Sequence, residues 1–191
     1  RGSSPAGHWL WTPTWRRSMS LLGIISTPVT DGTLTCGFSN GRSSMSDWME
    51  TNRGVVLPQH CDHYGHMNVR YYGHFFDEGG YHMWIRWGIK QSDIWDQGVG
   101  VVVANRSTDF LKEMKAGTLT LIKGGLTKIG NRSMAYEQRL FDAELSTLCA
   151  RQTTVEVFFD TDTRTSAPMP DSIRKTLGLH LLPPEKLEML K

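Results

Sequence analysis

Residues 61–78 read CDHYGHMNVRYYGHFFDE, a run rich in side chains that accept, donate or hold a proton. Asp62 stands just ahead of the point where a long helix is expected to begin. A carboxylate there could attack an electrophilic carbonyl carbon, or deprotonate a water that does so. The N–H groups of a helix's first turn, here near Val69 and Arg70, have no acceptor inside the helix. With the helix dipole they make a site for a carbonyl oxygen as it becomes an oxyanion. One such donor is typically worth roughly 3 kcal/mol, or about a hundredfold in rate. The pairing suits hydrolysis of an activated acyl group. The plainer use of Asp62 is as a turn residue that accepts from its own backbone.

The neighbours of Asp62 divide between chemistry and scaffolding. Gly65 permits a tight turn beside a ligand. His66 could assist proton transfer, bond a substrate, or hold the loop through its backbone. Asn68 is better placed to cap the helix than to catalyse. Glu78 falls about two and a half turns into the helix, as a second acid or as a solvated or interface residue. Tyr71 and Tyr72, with Phe75, Trp84, Trp87 and Trp95, could wall a pocket for a compact or aromatic group. Their faces would also suit a cationic one, although most such rings serve the core. His60, Cys61, Asp62, His63, His66 and His74 crowd into fifteen residues but lack H-E-x-x-H or paired CxxC spacing. No metal and no cofactor are therefore expected.

These residues need a scaffold. Residues 54–59 (GVVLPQ) read as a short strand. A helix is expected over 69–87, with Tyr72, Phe76, Met83 and Trp87 on one apolar face and Gly88 just past its end. Gly79 and Gly80 lie mid-helix, where each costs roughly 1 kcal/mol relative to Ala, so close approach of another backbone is expected there. Strands follow over 99–110, 118–128, 133–141 and 147–159, with a bulge or kink expected at Gly124 and Gly125. Turn signals near 130–131 and 142–144 make the pairings antiparallel. One helix cannot cover both faces of a five-stranded sheet. The expected solution is an α+β fold, a curved antiparallel sheet wrapped around one long helix, with its open face or edge covered by a second copy.

The remainder of the chain is less regular. Residues 1–44 carry Gly and Ser clusters and no sustained period, so they are expected to be an irregular and non-native extension, with Met45 the natural start. Residues 45–165 form the expected domain. Residues 166–191 form a tail with short helices, expected to be peripheral. Lys+Arg 21 against Asp+Glu 19 gives a net charge of +2, which speaks against nucleic-acid binding by bulk charge. Three widely spaced cysteines, Cys36, Cys61 and Cys149, fit a reducing compartment rather than a disulfide framework. The apolar run 20–29 is short and broken, so neither a membrane span nor a signal peptide is expected, and a cytoplasmic location is.

Asp62, Gly65, His66 and Asn68 match the D-x-x-G-H-x-N pattern of the 4-hydroxybenzoyl-CoA thioesterase-like branch of hotdog-fold enzymes. An aromatic at Tyr71 or Tyr72 and an acid at Glu78 follow along the helix, and 109–142 resembles the family's next two strands. The resemblance spans about residues 52–160. It implies an acyl-CoA thioesterase with Asp62 as catalytic carboxylate and His66 and Glu78 as further candidates. Gly65, Asn68, Val69, Arg70, Tyr71 and Tyr72 would then lie around the substrate. It also implies a homodimer or homotetramer. CoA phosphates would draw on Lys112, Lys115, Lys123, Lys128, Arg132 or Arg139. Two other functions are compatible with the pattern: a hotdog dehydratase or hydratase pairing His66 with Glu78, and a silent acyl-CoA-binding module.

Overall fold

The computed structural model describes residues 47–188. The expected extension, Cys36 and Met45 lie outside the described residues. In chain order the elements are β1 (Met49–Val55), α1 (Val69–Arg86), α2 (Gln91–Trp95), β2 (Val99–Phe110), β3 (Leu119–Ile129), β4 (Ser133–Asp142), β5 (Thr147–Asp160), α3 (Asp171–Gly178) and α4 (Pro184–Glu188). The five strands form one sheet in the order β1-β3-β4-β5-β2, with all pairings antiparallel. β1 and β2 are therefore opposite edges, and α1, which joins them in sequence, must cross the sheet face. Register shifts at Glu50/Asn52, Val103/Asn105 and Leu126/Lys128 bend the strands. This is the expected α+β hotdog arrangement.

α1 is held at both ends by local chemistry. Asn68 caps its start, Oδ1 accepting from the Arg70 N–H at 3.1 Å. At its end Gly88 takes φ +75°, which a residue with a Cβ adopts reluctantly. The Gly88 N–H donates to the Ile85 carbonyl and the Ile89 N–H to the Trp84 carbonyl, both at 3.0 Å, closing a Schellman motif. Tyr72, Phe76, Met83 and Trp87 are all buried, as the helical period requires. The first half of α1 packs into a cluster with Val56, Ile122, Leu140 and Ala150. The second half packs into another with Leu126, Met134, Phe158 and Leu177.

Four expectations need correction. The first strand is Met49–Val55 rather than 54–59, because Pro58 opens a 3-10 turn that ends the extended run. Gly79 and Gly80 admit side chains rather than another backbone: a Cβ at Gly79 would meet the Gln138 amide, and one at Gly80 the Tyr136 hydroxyl at 3.3 Å. Gly124 and Gly125 keep regular register, opposite Gln138 and Glu137, with the bulge displaced to the Leu126/Lys128 step. They are small because the Met83 thioether and the Leu182 side chain lie over them. The tail is not peripheral either. Ile173 and Leu177 of α3 belong to the second core cluster, and the Leu182 N–H donates to the Leu126 carbonyl at 2.8 Å.

Candidate active site

The loop between β1 and α1 folds back on itself. Cys61 and Met67 form an isolated bridge, and the Asp62 N–H donates to the His66 carbonyl at 2.9 Å. The Gly65 N–H donates to the Asp62 carbonyl at 3.0 Å, and Gly65 itself takes φ +78°, so its role is the turn. The Met67 N–H reaches the Met114 carbonyl at 2.8 Å and ties the loop to the segment after β2. Asp62 does take up the turn role: its Oδ1 accepts from the Tyr64 N–H at 2.9 Å. Its Oδ2 has no hydrogen bond among the described residues.

Asp62 faces a cleft of about 510 Å³ whose wall includes His66, Val69, Tyr72, Phe110 and Lys112. Val69 is the first residue of α1, so carboxylate and helix start open onto one space. The sequence placed free donors near both Val69 and Arg70. In the fold, the Asn68 side chain takes the Arg70 N–H, and the Asn68 carbonyl takes the Tyr71 N–H at 2.9 Å. The Val69 N–H is left without an acceptor among the described residues.

The other candidates divide between the cleft wall and places outside it. His66 turns its Nε2 to Glu113, 3.2 Å from a carboxylate oxygen. Tyr72 lies in the cleft wall, edge-on to Phe110 at 5.1 Å, and burial raises its phenol pKa to about 12. Tyr71 turns away to stack near His60 at 4.6 Å, with the Arg70 guanidinium over its ring. Glu78 does not border the cleft. It accepts from Asn52 Nδ2 at 2.9 Å and lies 3.4 Å from His74 Nε2. Of the basic candidates, Lys112 borders the cleft, whereas Arg139 stacks on Trp48 and pairs with Glu137. Among the described residues no group of three or more His, Cys, Asp or Glu side chains is placed to hold a metal ion, and no helix is long and apolar enough to cross a membrane.

The sequence reading missed Phe110, Leu111 and Glu113 in the cleft. They end β2 and follow it, and only the tertiary pairing brings them to Asp62. It also missed a second cavity, of about 550 Å³, between the later half of α1, α2 and β2. Glu156 of β5 borders it, with 7% of its surface exposed. Tyr136 donates its hydroxyl proton to Glu156 Oε1 at 2.8 Å, while Oε2 is buried with no hydrogen-bond partner among the described residues. Burial raises the Glu156 carboxyl pKa, and burial chiefly raises that of Tyr136. A signal was present: in TTVEVFF, Glu156 shares the inward parity of Thr154 and Phe158, where an acid is unexpected.

The family model of the Thioesterase-like superfamily matches residues 56–177, more than half of the chain. The chain belongs to that superfamily. Among solved structures, Slr0204, a 1,4-dihydroxy-2-naphthoyl-CoA thioesterase from Synechocystis, aligns with a TM-score of 0.60 at 18% identity, over 66% of this chain and 93% of that one. SAV2348 of Staphylococcus aureus, solved in complex with CoA, aligns with a TM-score of 0.63 at 15% identity, over 74% and 94% of the two chains. BH1999, a gentisyl-coenzyme A thioesterase, aligns with a TM-score of 0.57 at 17% identity, over 66% and 98%. At these identities the likeness is one of fold. No curated protein sequence matches the chain.

Proposed function

We propose that the chain hydrolyses an acyl-CoA thioester to the free acid and CoA, with Asp62 as the catalytic carboxylate. The observation that carries this is the shared cleft: among the described residues Asp62 has an oxygen free of hydrogen bonds and the Val69 N–H has no acceptor, and the two border one space. Superfamily membership supports the same chemistry. The thioester carbonyl oxygen rests on the Val69 N–H, where the helix dipole stabilises growing negative charge. Asp62 then deprotonates a water that adds to the carbonyl carbon, or adds to it directly. The tetrahedral intermediate collapses, the C–S bond breaks, and the CoA thiolate leaves and takes up a proton. In the direct route water cleaves the resulting anhydride. Oxygen-isotope label entering Asp62 in a single turnover distinguishes the routes. Tyr72 and Phe110 supply apolar walls, and Lys112 a cation for the phosphates.

The β2 edge supports a homodimer, or a tetramer built from it, as the assembly in this reading. Among the described residues β2 lacks a partner strand on one side, and Val102, Val103 and Phe110 stand exposed along it. Such an edge invites pairing with another chain. The dehydratase alternative fits less well, because His66 faces Glu113 while Glu78 is engaged by Asn52 and His74. A panel of acyl-CoA esters assayed for free thiol tests the proposal. Release of CoA from at least one ester, lost on Asp62→Asn, is expected. Binding without release across the panel would leave only an acyl-CoA-binding module.

A further inference from the structure

The second cavity is a separate compartment from the cleft. At 1.5 Å per residue, Tyr81 lies roughly 18 Å beyond Val69 along α1. The Asp77–Arg106 ion pair, 2.6 Å, bridges α1 and β2 in the wall of this cavity, and the two spaces share no lining residue. The cavity wall brings together aromatic faces, the carboxylates of Asp77 and Glu156, the Arg106 guanidinium and aliphatic side chains from Ile94 and β2. Trp84 and Tyr136 are buried deep in it, while Tyr81 and Trp95 are 69% and 57% exposed at its rim. Glu156 contributes a buried carboxyl oxygen with no hydrogen-bond partner among the described residues, with the Trp84 indole and the Arg106 charge close enough to favour its ionised form, and Arg106 is itself paired with Asp77.

A fold rarely leaves a carboxyl oxygen buried and unpartnered. A small apolar ligand would not relieve Oε2, and an anion would be repelled by it. A positive charge spread over methyl groups suits the rings and Glu156, the Arg106 charge in the wall being already paired with Asp77. It offers an apolar surface to the indole and phenol rings, a charge to their π faces, and a counter-ion to Glu156. We propose that this cavity binds a quaternary ammonium group of trimethylammonium size, with Trp84 and Tyr136 as the aromatic wall and Glu156 as the counter-charge.

The ammonium could arrive as a free small cation or as the end of an acyl group on a CoA ester presented by a second copy. The test separates charge from shape. Choline and its neutral isostere 3,3-dimethylbutan-1-ol are titrated into the full chain, followed by calorimetry and tryptophan fluorescence. Choline is expected to bind once per chain, about tenfold or more tighter than the alcohol. Glu156→Gln and, at the exposed rim, Trp95→Ala are each expected to weaken choline severalfold. Glu156→Gln should leave the alcohol unchanged. Equal affinity for the two compounds, no saturable binding of choline, or choline binding indifferent to both substitutions would overturn the proposal. A second arm compares CoA release from trimethylammonioacetyl-CoA and from 3,3-dimethylbutanoyl-CoA. A preference for the cationic ester that Glu156→Gln abolishes assigns the cavity to the acyl group. Parity of the esters alongside tight choline binding assigns it to a free cation. Choline titration reads the cavity without turnover, so its result stands apart from that of the thioesterase assay.

Discussion

The cleft at the start of α1 and the cavity beside its later half share a helix and a strand, yet they solve opposite electrostatic problems. In the cleft, a half-buried carboxylate is anchored by one oxygen to the Tyr64 N–H and, among the described residues, has no hydrogen bond at the other, and the Val69 N–H on the same cleft has no acceptor. There the unfilled valence is a donor, suited to an oxygen that gains negative charge. In the cavity, Tyr136 fills one oxygen of Glu156 and the other is buried with no hydrogen-bond partner among the described residues. There the unfilled valence is an acceptor among aromatic rings, suited to a cation. The lesson is that burial and hydrogen bonding, more than residue type, set what a carboxylate does.

The comparison can be broken most sharply at Asp62. Asp62→Asn is expected to lower kcat for CoA release about a hundredfold or more, with the far-ultraviolet circular dichroism unchanged. Near-normal turnover in the folded variant would remove Asp62 from its role. Next in size is the packing that holds α1 above the sheet between the two sites. Gly79→Val drives a side chain into the buried Gln138 amide and Thr51, and should cost about 1–3 kcal/mol in urea denaturation. Gly73→Ala meets nothing within 4 Å and should instead stabilise by about 0.5–1 kcal/mol. If both substitutions acted alike, the close approach at Gly79 would not be what holds the helix down.

Asn68→Ala removes the cap at the cleft end, at a cost of about 1 kcal/mol and a few degrees in Tm. It should leave choline binding at the cavity unchanged. The smallest effect concerns Glu156. Burial raises its carboxyl pKa above the ordinary 4.5, so over that interval the folded chain holds a proton the unfolded chain has released. The stability this contributes is complete below about pH 4.5 and is lost as the pH rises through the folded value. Glu156→Gln has no such dependence. Its Tm relative to the parent should therefore improve between about pH 4 and pH 8, and a constant difference would contradict the burial argument.

Much of this was legible before any coordinates. The helix from Val69, its Asn68 cap, the Gly88 stop and four of the five strands follow from periodicity and end signals, because those depend on residues a few positions apart. The missed pieces are non-local. Gly124 and Gly125 read as a bulge, whereas they are small for the side chains of Met83 and Leu182 across the fold. The tail read as peripheral because its apolar residues are sparse, yet Ile173 and Leu177 complete a core begun by α1. Glu78 and Tyr71 looked as eligible as Tyr72 on spacing alone, and only helix rotation against the sheet decided which of them met the cleft.

By itself, then, the order of residues determined the long helix and four of the five strands, the placement of Asp62 ahead of a helix start, and superfamily-level chemistry, since each rests on short-range pattern. The tertiary structure alone decided which first-turn N–H stays unclaimed, which end of β2 joins the cleft, and that Glu156 meets Tyr136 inside a second cavity. Those outcomes depend on the sheet order β1-β3-β4-β5-β2, which brings distant segments together and removes water from between them.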